Sequence, residues 1–176
     1  PRVDTTYLSE DLHPKIPGII SGLRDYKRFT ATLEGKPIKK TKQIFDDKKI
    51  TDHHAIIPTG VAPSGISPDE QRVYDLIVRR FIAAFYPECK VSNTTVIGQV
   101  DQLHFKATGK QILAKGWRIV YEDLETKTSK KEESEEKVLP LFTEGESGEH
   151  EPFIHKGKTS PPKPYTEATL LRAMET

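Results

Sequence analysis

Cysteine is almost absent from this chain: Cys89 is the only one among 176 residues. One thiol builds neither an intramolecular disulfide nor a thiolate metal cluster, so disulfide scaffolds and zinc ribbons are excluded and Cys89 reads as a passive small residue. Long apolar runs are missing as well. No stretch approaches the ~20 apolar residues a membrane-spanning helix needs, and no signal-peptide pattern opens the chain. The expectation is a cytoplasmic protein with no membrane partner. Apolar residues reach only 35%, which predicts modest cores and much exposed surface. The length is nonetheless generous for one compact domain and leaves room for two. The chain opens at Pro1 without a methionine and stops inside a helical pattern at Thr176, which reads as a piece of something longer.

A strong net charge is also lacking, but the formal +1 hides local asymmetry. Gly22 to Lys49 holds nine Lys/Arg against four Asp/Glu, a net of +5, whereas Glu122 to Lys137 holds four against seven, a net of −3. A basic first third suits a polyanionic partner such as nucleic acid. On this clue alone, a solvated lysine-rich surface is the better account.

The most concentrated chemistry lies in Ile50-Thr51-Asp52-His53-His54-Ala55-Ile56-Ile57-Pro58-Thr59, where two adjacent histidines follow an acid and precede a small apolar run. Neighbouring side chains point to opposite faces of a strand and about 100° apart on a helix. The two imidazoles therefore share one ligand only where the backbone is irregular. Pro58 restricts Ile57 to extended or turn geometry, which predicts a short strand or loop. Taken as pattern alone, the pair fits a solvated strand end as well as it fits a site.

Along the rest of the chain, Pro1 to Leu8 reads as extended. Ser9 is placed as a helix N-cap, with Glu10 and Asp11 in the first turn. Leu12, Ile16, Ile19, Ile20 and Leu23 recur at helical spacing, and Pro14 and Pro17 predict two short helical turns meeting at an angle. Arg24 to Ile50 is weakly specified. After a loop at Gly60 to Gly65 comes the clearest element. Ser67 is its N-cap, Pro68 its first residue, and Glu70 completes a capping box. Val73, Leu76, Ile77, Phe81, Ala84 and Phe85 form its apolar stripe, with Arg72, Arg79 and Arg80 as a solvated rim.

Beyond Pro87 the pattern changes to period two. Ser92 to Val100, Leu103 to Ala114 and Trp117 to Tyr121 read as antiparallel strands, with turns near Asp101 and Lys115-Gly116. Leu103, Phe105 and Ala107 share one face, and His104, Lys106 and Thr108 the other. Residues 122–137 are charged and of low complexity, and a mobile loop is expected there. Val138 to Phe142 and Phe153 to His155 are expected as short returning strands. Thr159 to Pro164 is a stiff extended linker, and Thr166 caps a final helix.

Three separated stretches are similar to one family, the type IA DNA topoisomerases, and most closely to its bacterial topoisomerase III branch. Pro1-Arg-Val-Asp-Thr-Thr-Tyr-Leu resembles the tail of that family's active-site motif, Tyr-Pro-Arg-(Ser/Thr/Val)-Asp. Asp47-Lys-Lys-Ile-Thr-Asp-His-His-Ala-Ile-Ile-Pro-Thr59 resembles its second motif, and Lys158-Thr-Ser-Pro-Pro-Lys-Pro-Tyr-Thr-Glu-Ala-Thr-Leu-Leu the entry to its next domain. Order and spacing agree across the whole chain. The fold class this implies is α+β and multi-domain. Residues 1–87 would belong to a mainly helical domain that carries the nucleophile, and 88–158 to an antiparallel β domain, part of the strand-passage gate arch. Residues 159–176 would be a linker and the first helix of a further domain that grips DNA.

In that family a tyrosine oxygen attacks a DNA phosphodiester, storing the bond as a 5′-phosphotyrosine and freeing a 3′-hydroxyl. The resemblance places that tyrosine immediately before Pro1, and the acidic metal-binding residues and active-site lysine in an N-terminal domain outside this sequence. Charge builds on the phosphate oxygens, so a guanidinium beside the nucleophile lowers the barrier. Arg2 is the residue implied for that catalytic role. Asp4 would order Arg2 or neighbouring groups, or serve as a structural turn acid, and Thr5 would hydrogen-bond backbone or phosphate. Val3 departs from the hydroxyl residue most relatives carry, so no side-chain phosphate contact is inherited there. His53 matches the family histidine that reaches the scissile region as a phosphate donor, and His54 would assist. An imidazole ordinarily titrates near pH ~6.5, so either ring could carry part of a positive charge beside DNA. Metal binding by the pair is the rival reading, but it lacks a clear third ligand.

The resulting expectation is a fragment, monomeric and inactive alone, of an enzyme that passes strands through a transient single-strand break without ATP. Mg²⁺ is expected in the full-length enzyme and no cofactor in the fragment. Single-stranded DNA and the rest of the same polypeptide are the expected partners, in a nucleoid-associated, cytoplasmic setting. A noncatalytic nucleic-acid-binding module with the same fold is the alternative, and a histidine-dependent metalloprotein a third class.

Overall fold

The computed structural model describes residues 3, 5–124, 137–149 and 151–174. Arg2 and Asp4 lie outside the described residues, as does the loop expected at 122–137 apart from its ends. The protein combines helices with a two-stranded antiparallel sheet and is of the α+β class. It divides into two compact units, Pro1–Leu141 and Phe142–Thr176.

The first unit is built around a small core. Leu8, Ile16, Ile20, Phe45, Val78 and Ile82 are each 4% exposed or less. As the two prolines require, the first helical stretch is broken into a 3-10 turn, Glu10–Lys15, and helix α1, Ile16–Gly22. Ser9 stands at the N-cap position, but its hydroxyl is drawn to the Asp11 carboxylate instead of a backbone N–H. The basic region then forms a 3-10 turn, Arg24–Tyr26, and a single-turn helix α2, Lys27–Thr30, which send Tyr26 and Phe29 into the core.

Helix α3, Pro68–Ala84, starts as its sequence dictates, with Pro68 in the first turn and a complete Ser67/Glu70 capping box. The face it buries matches the expected stripe only in part: Phe81 is buried and Phe85 packs on the core as expected. Val73 and Leu76 are instead 57% and 55% exposed, and Val78, Ile82 and Tyr74 join the core. The expected solvated rim is also corrected at Arg79, which is only 5% exposed. Its guanidinium donates to Asp75 at 2.8 Å, to Asp123 at 2.7 and 3.0 Å, and to the Val120 carbonyl at 2.5 Å. Periodicity scores an arginine as an outside residue. Here carboxylates and a carbonyl from two elements satisfy its donors, and that satisfaction permits burial.

Strands β1, Lys90–Val100, and β2, Leu103–Ala114, form one long hairpin with Val100 opposite Leu103. Asp101 makes the tight turn in the left-handed region at φ 54°, a conformation a short polar side chain tolerates. The pairing puts Val96, Val100, Leu103, Phe105 and Ala107 on one face, and Ile97 with His104, Lys106 and Thr108 on the other. The third expected strand is instead a 3-10 helix, Gly116–Tyr121. It packs on α3 and buries Val120, a contact that a strand continuing the hairpin could not reach. Val138–Phe142 and Phe153–Ile154–His155 are not strands either; only an isolated bridge joins Lys137 to Lys110.

The turn that redirects the chain is at Gly116, with φ at 52°. A Cβ there would lie 2.4 Å from the Glu88 carbonyl oxygen and 2.5 Å from that of Pro87, whose carbonyl accepts from the Trp117 N–H at 3.0 Å. Left-handed strain of about 1–2 kcal/mol adds to that backbone collision. Gly116→Ala is expected to destabilise the chain by about 2 kcal/mol or more, read as a lowered urea midpoint with an unchanged slope.

In the second unit, Thr166 caps the helix Glu167–Met174. Its hydroxyl accepts from the Thr169 N–H at 3.3 Å, and its carbonyl accepts from the Leu170 N–H at 2.8 Å.

Candidate nucleic-acid interface

The segment after Arg2 is held from both edges. On one side the Leu8 N–H donates to the Ile44 carbonyl at 2.7 Å and the Asp46 N–H donates to the Leu8 carbonyl at 3.2 Å, a parallel bridge. On the other, the Ala55 N–H donates to the Tyr7 carbonyl at 2.9 Å. An extended backbone offers its hydrogen-bonding groups alternately to its two sides, so Tyr7 and Leu8 bind different neighbours. Leu8 and Phe45, at 4% and 2% exposed, anchor the arrangement in the core. His13 packs edge-on against Phe45 with ring centroids 5.1 Å apart and lies 2.8 Å from the Ile38 carbonyl through Nε2. Two sequence stretches more than forty residues apart thus lie side by side.

Thr5 is half-buried, and its hydroxyl oxygen accepts from the Tyr7 N–H at 3.2 Å. His53 is exposed and His54 half-buried, as expected of adjacent residues on extended backbone. The His54 Nδ1 lies 2.7 Å from the Ala55 carbonyl oxygen. A carbonyl only accepts, so Nδ1 carries the proton and donates. Nε2 is then an acceptor in the neutral ring and becomes a donor only in the imidazolium. A hydrogen bond from His54 Nε2 to a phosphate therefore requires the charged ring, whereas His53 has no such constraint from this contact. The Asp11 carboxyl is held below the usual carboxylate range, first by the Ser9 hydroxyl, with the charges of Lys15 and His54 adding to the effect.

Two further residues join the site that residue types alone did not single out. The Lys49 ammonium donates to the Tyr7 hydroxyl at 2.8 Å and sits 4.5 Å from that ring's centre. The Tyr7 hydrogen bond holds Lys49 above its ordinary range. Lys49 directly precedes the histidine stretch and Tyr7 ends the Thr5 turn; this cross-contact has no local pattern to reveal it. Beside them, an open cleft of about 560 Å³ runs between Thr5, Thr6 and Ile57 on one wall and Arg80 and Phe85 of the helix end on the other. Among the described residues no group of three His, Cys, Asp or Glu side chains gathers to hold a metal ion.

A family model described as DNA topoisomerase matches residues 1–176. The chain belongs to the DNA topoisomerase family. This topoisomerase chain is 33% identical over 180 residues to DNA topoisomerase 3 of Bacillus subtilis and 36% identical over the same length to that of Bacillus cereus. In each comparison 99% of this chain is covered, and it spans 25% of the relative's length. The family assignment agrees with the resemblance drawn from the three sequence stretches. Among its described residues no helix is long and apolar enough to cross a membrane.

Proposed function

We propose that this chain is the part of a type IA topoisomerase that holds one DNA phosphate beside the nucleophile, in an enzyme that cleaves one strand through a 5′-phosphotyrosine, passes a strand and religates. The observation that carries the reading is the hydrogen bond from the Ala55 N–H to the Tyr7 carbonyl. It sets His53 and His54 alongside the segment that follows Arg2. Arg2 is assigned to charge on the transition-state phosphate, His53 and His54 to phosphate hydrogen bonds, and Thr5 and Asp4 to ordering that strand. Single-stranded DNA is the substrate, and relaxation or unlinking without ATP the whole enzyme's activity. The division at 1–87, 88–158 and 159–176 into nucleophile-bearing, arch and gripping parts belongs to the same proposal, as do a monomeric state and a cytoplasmic, nucleoid-associated setting. The family's Mg²⁺ is assigned to carboxylates in the rest of the polypeptide.

Binding of a labelled single-stranded oligonucleotide to the chain tests this reading. Affinity is expected to fall steeply with salt, as it does when phosphates are neutralised. The double variant His53→Ala/His54→Ala is expected to bind about tenfold more weakly at low salt, the scale of lost charge-assisted phosphate contacts, with an unchanged urea midpoint. A lowered urea midpoint alongside the binding loss would assign the pair a structural role. Strand nicking by the chain itself would contradict the assignment of the nucleophile to a position outside it. A noncatalytic binder would show the same affinity pattern, and the two separate on the full-length protein, which cleaves or does not.

A further inference from the structure

We infer that the cleft between Thr5 and the end of α3 is a nucleotide subsite, in which Arg80 takes a phosphate and Trp117 stacks on a base. This inference rests on the DNA reading above and extends it to residues outside both motifs. Arg79 and Arg80 are neighbours with opposite fates. Arg79 turns inward and takes Asp75 and Asp123. Arg80 is exposed, lines the cleft, and has no ion pair among the described residues. A guanidinium with no carboxylate partner among the described residues, on the lining of a cleft, is a ready phosphate ligand.

Trp117 supplies the other half. Its backbone N–H is fixed to the Pro87 carbonyl at 3.0 Å, and its ring meets Tyr121 edge-to-face at 6.0 Å. It still remains 41% exposed and lines the same cleft as Arg80. A large aromatic held in place yet open to solvent is what single-strand binders use as a stacking platform. The cleft, about 560 Å³, lies within the 300–1,000 Å³ typical of small-ligand sites. Among the described residues, one cation, Arg80, and one carboxylate, Glu88, lie on its lining. That balance suits a single phosphate with its base and opposes a run of phosphates. Thr5 and Ala55 on the opposite wall are shared with the phosphate-holding segment, so an occupant of the cleft would be the nucleotide next to the one held there.

Trp117 is the only tryptophan in the chain, so its emission reports on the cleft without labels. Oligothymidylate is titrated against the chain while tryptophan emission and, in parallel, the anisotropy of a labelled oligomer are followed. Saturable quenching with the same midpoint as the anisotropy change is expected. An abasic oligomer of equal length should bind without quenching. Arg80→Ala should weaken oligothymidylate about tenfold, the scale of one charge-assisted phosphate contact. Trp117→Ala should weaken oligothymidylate about tenfold relative to the abasic oligomer, as stacking on one base predicts. The quench in the unaltered chain does not depend on either variant folding. Binding seen by anisotropy with no quench would overturn the subsite while leaving the phosphate-holding reading intact. Absence of any binding at low salt would remove both. Quenching by an apolar peptide but not by oligothymidylate would reassign the cleft to a protein segment and overturn the inference.

Discussion

Arg79→Ala is expected to lower folding stability by about 3 kcal/mol, the loss that follows when one partner of a buried ion pair is removed. The guanidinium is 6% exposed and meets Asp75, Asp123 and the Val120 carbonyl together. Its removal takes the shared donor from Asp75, Asp123 and the Val120 carbonyl, although Arg28 still reaches Asp123, and it uncouples α3 from the 3-10 helix that follows the hairpin. The figure sits at the low end for a broken buried pair because Asp123 is 39% exposed and Arg28 also reaches it. Arg79→Lys should recover only a small part, since a single ammonium cannot reproduce a fork that serves three partners. Urea denaturation of the two variants checks both statements.

The same cluster gives a pH signature. The Asp123 carboxyl is held well below the usual carboxylate range, chiefly by the Arg79 hydrogen bonds, with Arg28 adding to them. A carboxyl depressed in the folded chain contributes stability that is present above its unfolded value, about 3.9, and is lost as pH falls toward its folded one. Stability should therefore hold from neutrality to about pH 4 and then decline. In Asp123→Asn, stability at pH 7 should be lower and the decline below pH 4 shallower. Equal slopes for both proteins would show that other carboxyls govern the acid limb.

The second large effect concerns chemistry. In the full-length enzyme, Arg2→Ala is expected to reduce DNA cleavage about 10²–10³-fold, the range seen when one donor aimed at transition-state charge is lost. Affinity for the uncleaved strand should change only a few-fold, because one phosphate contact among many contributes little to ground-state binding. Cleavage rate under saturating DNA and the binding isotherm separate the two. If both fell by the same factor, Arg2 would be a binding residue and not a catalytic one. Arg2→Lys tests the fork directly: a point charge should restore affinity but recover cleavage only in part.

Much of the architecture was legible locally. The Ser67-Pro68-Glu70 start of α3, the proline-broken first helix, the hairpin around Asp101 and the Thr166 cap all appear where the residues predict them. Each depends on backbone hydrogen bonds within a few residues, so its signal lies inside a short window. The misreadings share the opposite property. Arg79 read as solvated because its three acceptors lie four, forty-one and forty-four residues away. The first half of the expected stripe, Val73 and Leu76, is exposed, while Tyr74 meets Tyr26 and Val78 is buried in the core. Trp117 to Tyr121 alternates like a strand, yet the Gly116 turn and the α3 surface coil it. The expected strands at Val138–Phe142 and Phe153–His155 had apolar character but find no ladder partner among the described residues, and backbone without a partner stays irregular.

By itself, then, the sequence determined the family, the residue types of the candidate site and the elements whose bonds are local. Motif spacing carries these, and spacing survives without coordinates. The tertiary structure alone decided which of those residues meet. It brought Ala55 to Tyr7 and Lys49 to the Tyr7 hydroxyl, chose the ring nitrogen of His54 that holds the proton, and turned Arg79 inward while Arg80 faces the cleft with Trp117. The physical reason is the range of the interactions. A cap or turn is set by neighbours in the chain, whereas burial of a charge or the pairing of two extended segments depends on partners that only the folded chain assembles.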